Sequence, residues 1–346
     1  MRIRRSVWIL PVFAMLAIST IPLPSLARTW HIAPDSTSST SVIHAAIDSA
    51  SYGDTVLVAP GTYVRTDDPD SDVDLAPGIS LVSECGSDVT ILEFCDTSLG
   101  ILLIRCEGAR VSGFTVRHGP LGPDCGNAMG EDYGIVCNNC TDVVIEDCVI
   151  ERLDHGISVN GESLEWGKPV VRNNTIRDCS YGISCSAVVG PSRPLFEGNT
   201  ITGCGKGAEI WNSEPDFESC EIINSWAYGL VYIDHCGGNV NKCTIAHTHG
   251  TGVYVWCDPP LAAPWFNGSW LHENANDFYD NAGWDIWYRY TGDQGLMMAP
   301  YDYWGSDCPN FAGKIYGRVI YTPWMDSTHT QVFDEDDCPP SADPCT

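Results

Sequence analysis

The sequence predicts an all-β fold, a single-stranded right-handed parallel β-helix closed at one end by a short helix. Three observations predict it. A six-residue block with apolar first and last positions recurs seven times, from Val111-Ser-Gly-Phe-Thr-Val116 to Phe266-Asn-Gly-Ser-Trp-Leu271, with starts 21 to 34 residues apart. Most blocks are followed by a glycine-led strand of alternating pattern, such as Gly156-Ile-Ser-Val159, Gly182-Ile-Ser-Cys185 and Gly252-Val-Tyr-Val255. Strands this short cannot bury a face alone, whereas coils stacked on one another enclose a continuous core.

Residues 1–27 read as a secretory leader. Arg2, Arg4 and Arg5 precede an apolar run from Val7 to about Ile18, and Ser25-Leu26-Ala27 gives a small-x-small cleavage pattern. Prolines 11, 22 and 24 interrupt the run, which falls short of the roughly 20 apolar residues a membrane span needs. No later segment is apolar enough to insert once the leader is gone, so the expected location is secreted, periplasmic or at the cell surface. The solenoid domain is assigned to 28–325, because a solenoid lengthens by adding coils and needs no domain boundary.

Within it, Val42, Ile43, Ala46, Ile47 and Ala50 have helical spacing, with Thr40 or Ser41 as the N-cap. This helix is placed over the open end of the coil stack. The stretch 53–64, GDTVLVAPGTYV, gives two strands around a Pro60-Gly61 turn, and 79–83, 89–92 and 101–104 continue the series. The polar tail 326–346 is expected to be disordered unless Cys338 and Cys345 pair.

The fourth position of the repeated block reads Phe114, Cys148, Asn174, Asn199, Cys220, Cys243 and Ser269. In a solenoid these residues stack at about 4.8 Å, asparagines bonding one another and thiols filling the same space. The chain has 17 cysteines, an odd number in no disulfide-scaffold spacing. Cys148, Cys220 and Cys243, with inward Cys137 and Cys185, are therefore read as packing residues. Cys137-x-x-Cys140 lacks a second pair at zinc spacing.

Charge narrows the partners. The whole chain carries −27, and the 18 Lys and Arg less the three in the leader, against 45 Asp and Glu, leave the mature chain near −30. Such a chain repels phosphate backbones and anionic membrane surfaces, so no nucleic-acid partner is expected. A polysaccharide or surface glycan fits better, although a polyuronate would need a cation to bridge it. No cofactor is required. Asp67, Asp68, Asp70, Asp72 and Asp74 lie in a loop that can supply oxygen ligands to Ca²⁺, though without the glycine and terminal glutamate of an EF-hand; a solvated acidic loop is the plain alternative.

The stretch IHAAIDSASYGDTVLVAPGTY, the N-x-I and G-I-x-V blocks, and the closing YWGSDCP and VIYTPW segments resemble the pectin-lyase-like superfamily and its secreted parallel β-helix repeat proteins, including NosD-like repeat families. The resemblance covers most of the mature chain. It implies the solenoid fold and a substrate groove along one parallel sheet, in a superfamily of polysaccharide lyases, glycoside hydrolases, uronan epimerases, adhesins and proteins without assigned activity.

Asp154-His155-Gly156-Ile157-Ser158 is similar to a polygalacturonase block, with Asp132 expected one coil away. Two such carboxylates can share acid and base roles in glycoside hydrolysis. The Asn-Thr-Asp and Arg-Ile-Lys blocks of that family are absent, as is the Asp-Pro-His-Asp block of alginate epimerases. For a lyase, Lys206 is the candidate base, with Arg117 and Arg177 near in sequence; a solvated row of turn residues is the plain alternative for His155 and Lys206. The outward positions Glu209, Trp211, Tyr254 and Trp256 form a candidate sugar platform, since exposed rings stack on the apolar faces of sugars, unless the aromatic loop 258–290 covers them.

Two readings follow. One is an exported β-helix that binds glycan or serves at the cell surface. The other is a polysaccharide-degrading or -modifying enzyme, a lyase, glycoside hydrolase or uronan epimerase, working through Asp132, Asp154, His155 and Lys206.

Overall fold

The computed structural model describes residues 27–34, 39–65, 73–94, 99–119, 132–161, 168–187, 193–257, 265–266, 275–290 and 296–338. The leader up to residue 26, four of the five loop aspartates (Asp67, Asp68, Asp70 and Asp72), Ser269 and Cys345 lie outside them.

Each coil contributes one strand to each of three faces. In a central coil the strands are Val144–Glu146, Val149–Glu151 and His155–Asn160; the next begins at Val170–Arg172 beside the first of these, in parallel. Repeated along the chain, this gives parallel sheets of 12, 10 and 9 strands among the described residues. The chain winds as a right-handed parallel β-helix.

The register explains the repeat. Ile101, Ile135, Ile157, Ile183, Ala208, Leu230, Val253 and Ile286 pair one to the next along the ten-stranded sheet, and all are fully buried. Matching inward columns from the other two sheets complete the core, with Ile150, Ile176 and Ile201 on the nine-stranded face. A one-residue slip would turn each column outward, so burial fixes the register. The glycine opening each long strand is a matter of space: a Cβ on Gly156 would sit 2.4 Å from the Gly182 carbonyl oxygen and 2.7 Å from Ile176 Cγ2.

The fourth block position forms an internal ladder. Asn199 Oδ1 accepts from both the backbone N–H and Nδ2 of Asn174, each at 3.0 Å, and Asn174 Oδ1 accepts from Cys148 N–H. Cys220 donates its N–H to Cys243 Sγ at 3.3 Å, and Cys243 donates its own to Asn276 Oδ1 at 2.9 Å. The ladder ends on Asp302, whose Oδ1 accepts from Asn276 twice. The next rung after Cys243 among the described residues is Asn276; Phe266 pairs with Val240 as expected, and Ser269, the expected rung, lies outside the described residues. The residues just before the rungs, Asp147, Asn173, Ser219 and Lys242, have φ between 52° and 55°. This left-handed turn drives the chain from one sheet to the next and favours Asn, Asp and Gly, found at Asn173, Asp147 and Gly198, although Ser219 and Lys242 adopt it too.

The helix Ser41–Ser49 packs on the first coils, burying Ile43, Ala46 and Ile47. Thr40 occupies the N-cap, but its side chain makes no capping bond; Ser39 Oγ accepts from Ser41 N–H instead. Cys148, Cys220, Cys243, Cys137 and Cys185 are buried and unbridged, as are Cys106, Cys140, Cys179, Cys204 and Cys236. Cys338 does not await Cys345: it is bonded to Cys308. Residues 326–338 are correspondingly ordered, with Val332–Phe333 pairing antiparallel to Trp324–Met325. No helix among the described residues is long and apolar enough to cross a membrane.

Candidate functional site

The outer face of the ten-stranded sheet carries three columns of side chains. The first, one residue before each glycine, runs Tyr133, His155, Tyr181, Lys206, Tyr228 and Thr251 in register. Its rings are stacked: His155 lies 4.4 Å from Tyr133 and 4.6 Å from Tyr181, with planes within 7°. Lys206 Nζ sits 4.8 Å from the centre of the Tyr181 ring. The second column runs Ser158, Ser184, Glu209, Val231, Tyr254 and Trp287, and the third Asn160, Ser186, Trp211, Ile233, Trp256 and Arg289.

Where the columns meet, a hollow of about 190 Å³ opens between four strands, lined by Tyr133, His155, Ser158, Ser184, Glu209 and Trp211, with Asn160, Cys185 and Ser186 completing its wall. Its lining mixes the Tyr133 and Trp211 rings with hydroxyls, an amide and an imidazole, and Glu209 is its one carboxylate. His155 Nδ1 is 2.9 Å from Ser184 Oγ, and Ser186 Oγ donates to Asn160 Oδ1 at 2.6 Å. Glu209 is neutralised by an ion pair with Lys206. Burial pushes the Cys185 thiol up to about 12, so it stays protonated at neutral pH. Ser158 Oγ is buried and has no hydrogen-bond partner, an unmet polar group that a bound hydroxyl or carbonyl would satisfy.

The four acid-base candidates do not meet at one point. Asp132 is buried, with Oδ2 3.7 Å from His118 Nε2, while its main-chain oxygen accepts from His155 N–H. Asp154, one coil on, has Oδ2 3.7 Å from His155 Nε2. Lys206 lies two coils from His155, held by Glu209 and the Tyr181 ring. Arg117 and Arg177 are on the nine-stranded sheet, not beside Lys206: Arg117 pairs with Glu93 at 2.6 Å and Arg177 with Glu151 at 2.5 Å.

The platform residues divide. Trp211 and Trp256 are 53% and 45% exposed and share a column with Ile233 between them, a spacing of two rungs, or about 9.6 Å. Arg289 lies over the Trp256 ring at 5.7 Å. Tyr254 is half-buried, its ring 5.2 Å from Tyr228 and edge-on to Trp287 at 5.3 Å. Asp74 is exposed on Val73–Leu75, at the far end of the same sheet. Among the described residues no three His, Cys, Asp or Glu side chains converge as a metal site. Sequence reasoning passed over Ser158 and Ser184; the outward position of the G-I-x-V strand, used for Glu209 and Tyr254, was the signal that would have found them.

The family described as "Right handed beta helix region" matches residues 99–275, just over half of the chain. Among solved structures, pectate lyase Pel9A superimposes with a TM-score of 0.58 at 14% identity, covering 88% of this chain and 80% of its own. The A-module of mannuronan C-5 epimerase AlgE4 from Azotobacter vinelandii gives 0.50 at 15%, over 75% and 77%. The Dettilon tailspike protein gp208 gives 0.53 at 10%, over 85% and 62%. At these identities the likeness is one of fold. No curated protein matches the chain in sequence.

Proposed function

The chain belongs to the right-handed β-helix family, and from that premise we propose that it is an exported glycan-binding module whose contact surface is the outer face of the ten-stranded sheet. The observation that carries this reading is the position of Trp211, an exposed indole forming one wall of a hollow that also presents serine hydroxyls, the Asn160 amide, the His155 imidazole and the ion-paired Glu209 carboxylate. An aromatic plane beside fixed polar groups suits a sugar ring, which has an apolar face and a rim of hydroxyls. Trp256, two rungs along, offers a second stacking surface. The absence of an unpaired basic side chain in the lining, where Glu209 is matched by Lys206, and the acidity of the chain favour a neutral polysaccharide. Export rests on the leader pattern of residues 1–27.

The enzymatic reading, a lyase, glycoside hydrolase or epimerase, draws support from the Asp154-His155 block and from the carbohydrate activities named for pectate lyase Pel9A and the AlgE4 module. Against it, Asp132 faces His118 and Lys206 is neutralised by Glu209, so neither a carboxylate pair nor a free basic amine stands over the hollow.

The test is incubation of the mature protein with neutral and uronic-acid polysaccharides, with and without Ca²⁺, followed by affinity electrophoresis, reducing-end and 235-nm assays. Retardation by a neutral glycan without chain cleavage is the expected outcome. Cleavage abolished by Asp154→Ala or Lys206→Ala would replace the binding reading with the enzymatic one.

A further inference from the structure

The hollow holds a serine and a histidine in direct contact, with a carboxylate on the far side of the ring. We propose that Ser184, His155 and Asp154 form a hydrolytic site for carboxylic esters on a bound glycan, removing acyl groups from sugar hydroxyls; this rests on the glycan-binding reading of the same hollow.

Three features carry it. Ser184 Oγ lies 2.9 Å from His155 Nδ1, within reach for proton transfer, on neighbouring strands whose pairing fixes Ser184 beside Ser158 and Tyr181 beside His155. The imidazole is clamped between the Tyr133 and Tyr181 rings, so its edge cannot swing away. Its Nε2 faces Asp154 Oδ2 at 3.7 Å, too long for a hydrogen bond but close enough for the carboxylate to favour the tautomer protonated at Nε2, leaving the lone pair on Nδ1 towards the serine. This is the division of roles in acyl transfer: nucleophile, base and orienting acid.

Ser158 supplies the fourth requirement. Its hydroxyl lines the same hollow one rung from Ser184, buried and without a partner, and a donor there can bond the oxygen that gains charge when the ester carbonyl is attacked.

The chemistry balances with water as the only co-reactant. Ser184 Oγ adds to the acyl carbon as its proton passes to His155 Nδ1, and the carbonyl π pair moves onto oxygen. Collapse breaks the bond to the sugar oxygen, which leaves with the proton from the imidazolium. Water then adds to the acyl-serine, giving its proton to His155, and the second collapse returns Ser184 with release of a carboxylic acid. An O-acylated neutral sugar seated against Trp211 presents such an ester without adding charge to an acidic protein.

The experiment incubates the mature full chain with an O-acetylated neutral polysaccharide and with its chemically deacetylated form. It measures acetate release and binding separately, and locates a fluorophosphonate label by mass spectrometry. The account expects acetate release, label on Ser184, loss of release by at least about 100-fold in Ser184→Ala, and a drop on the order of 100- to 1,000-fold in Ser158→Ala. Wild-type protein that binds the deacetylated glycan but releases no acetate and takes no label at Ser184 overturns the ester site and leaves the binding reading standing. Label at Ser184 with no binding to either glycan supports the nucleophile and overturns the glycan reading instead. Because the label is read on wild-type protein, misfolding of a variant cannot mimic either result.

Discussion

Asn199 lies directly over Asn174 inside the solenoid, its Oδ1 accepting both the backbone N–H and the side-chain Nδ2 of the residue one coil before it. Asn199 Nδ2 in turn donates to the Val171 carbonyl at 2.8 Å, so one side chain ties together two turns of backbone that no water reaches. Removing it orphans two donors and an acceptor. Asn199→Ala is therefore expected to cost about 2–4 kcal/mol, more than the loss of a single ordinary hydrogen bond. Urea unfolding of the variant against wild type measures it; a change under about 0.5 kcal/mol would mean the ladder is ornamental.

The opening glycines carry a steric prediction. Gly156→Ala places a Cβ 2.4 Å from the Gly182 carbonyl oxygen, a backbone atom that moves only if adjacent coils separate. A loss of about 3 kcal/mol or more is expected, read as a fall in melting temperature. Tolerance of alanine there would mean the coils are looser than their pairing implies.

Asp302 makes stability depend on pH. Burial pushes its carboxyl from an ordinary 3.8 up to about 7, against the hydrogen bonds from Asn276 that favour the ionised form. The folded chain thus holds a proton that the unfolded chain has released, and this group's contribution falls as pH rises from about 4 to about 7, with no further change above. Measured as the difference from Asp302→Asn, the wild-type advantage is expected to grow on acidification through that window. A difference that stays flat from pH 4 to 8 contradicts the assignment.

The thiols make a chemical prediction. Of the described unbridged cysteines, Cys85 is exposed and ten are buried. Iodoacetamide should label Cys85 readily in the native protein and the buried ten only after denaturation, each then gaining an alkyl group. If denatured, unreduced protein leaves Cys106, Cys140, Cys179 or Cys204 unlabelled, those buried thiols are bridged and the packing account fails for them.

Much of this architecture is legible in the sequence because a solenoid repeats its constraints. The blocks around Cys148, Asn174, Asn199, Cys220 and Cys243 each show the same inward pattern, and stacking turns it into columns. Legibility ends where a coil breaks the period. The rung after Cys243 is Asn276, 33 residues on, where the spacing of the earlier blocks pointed to Ser269, and no local pattern marks that asparagine as a rung. Arg117 and Arg177 were grouped with the candidate lysine, but both sit on the nine-stranded sheet while Lys206 sits on the ten-stranded one, a change of face that the spacing alone does not show.

The candidate site was legible as columns and not as contacts. His155, Glu209 and Trp211 were read from their places on successive strands, and all three line the hollow. The bond from Ser184 to His155 depends on which way two side chains turn across a strand gap, which spacing does not encode. The pairing of Lys206 with Glu209 three residues on was open to sequence reading only once both were known to face outward.

The most direct measurement compares the affinity of Trp211→Ala with that of Trp226→Ala for whichever neutral polysaccharide retards the wild-type protein. Trp226 is 66% exposed but sits in the turn before Tyr228, away from the three columns. With the sheet face as the binding surface, Trp211→Ala weakens binding at least about tenfold, in line with about 1.4 kcal/mol or more for a stacked aromatic, while Trp226→Ala binds as wild type. Equal affinity in wild type and Trp211→Ala would place the glycan elsewhere and contradict the account.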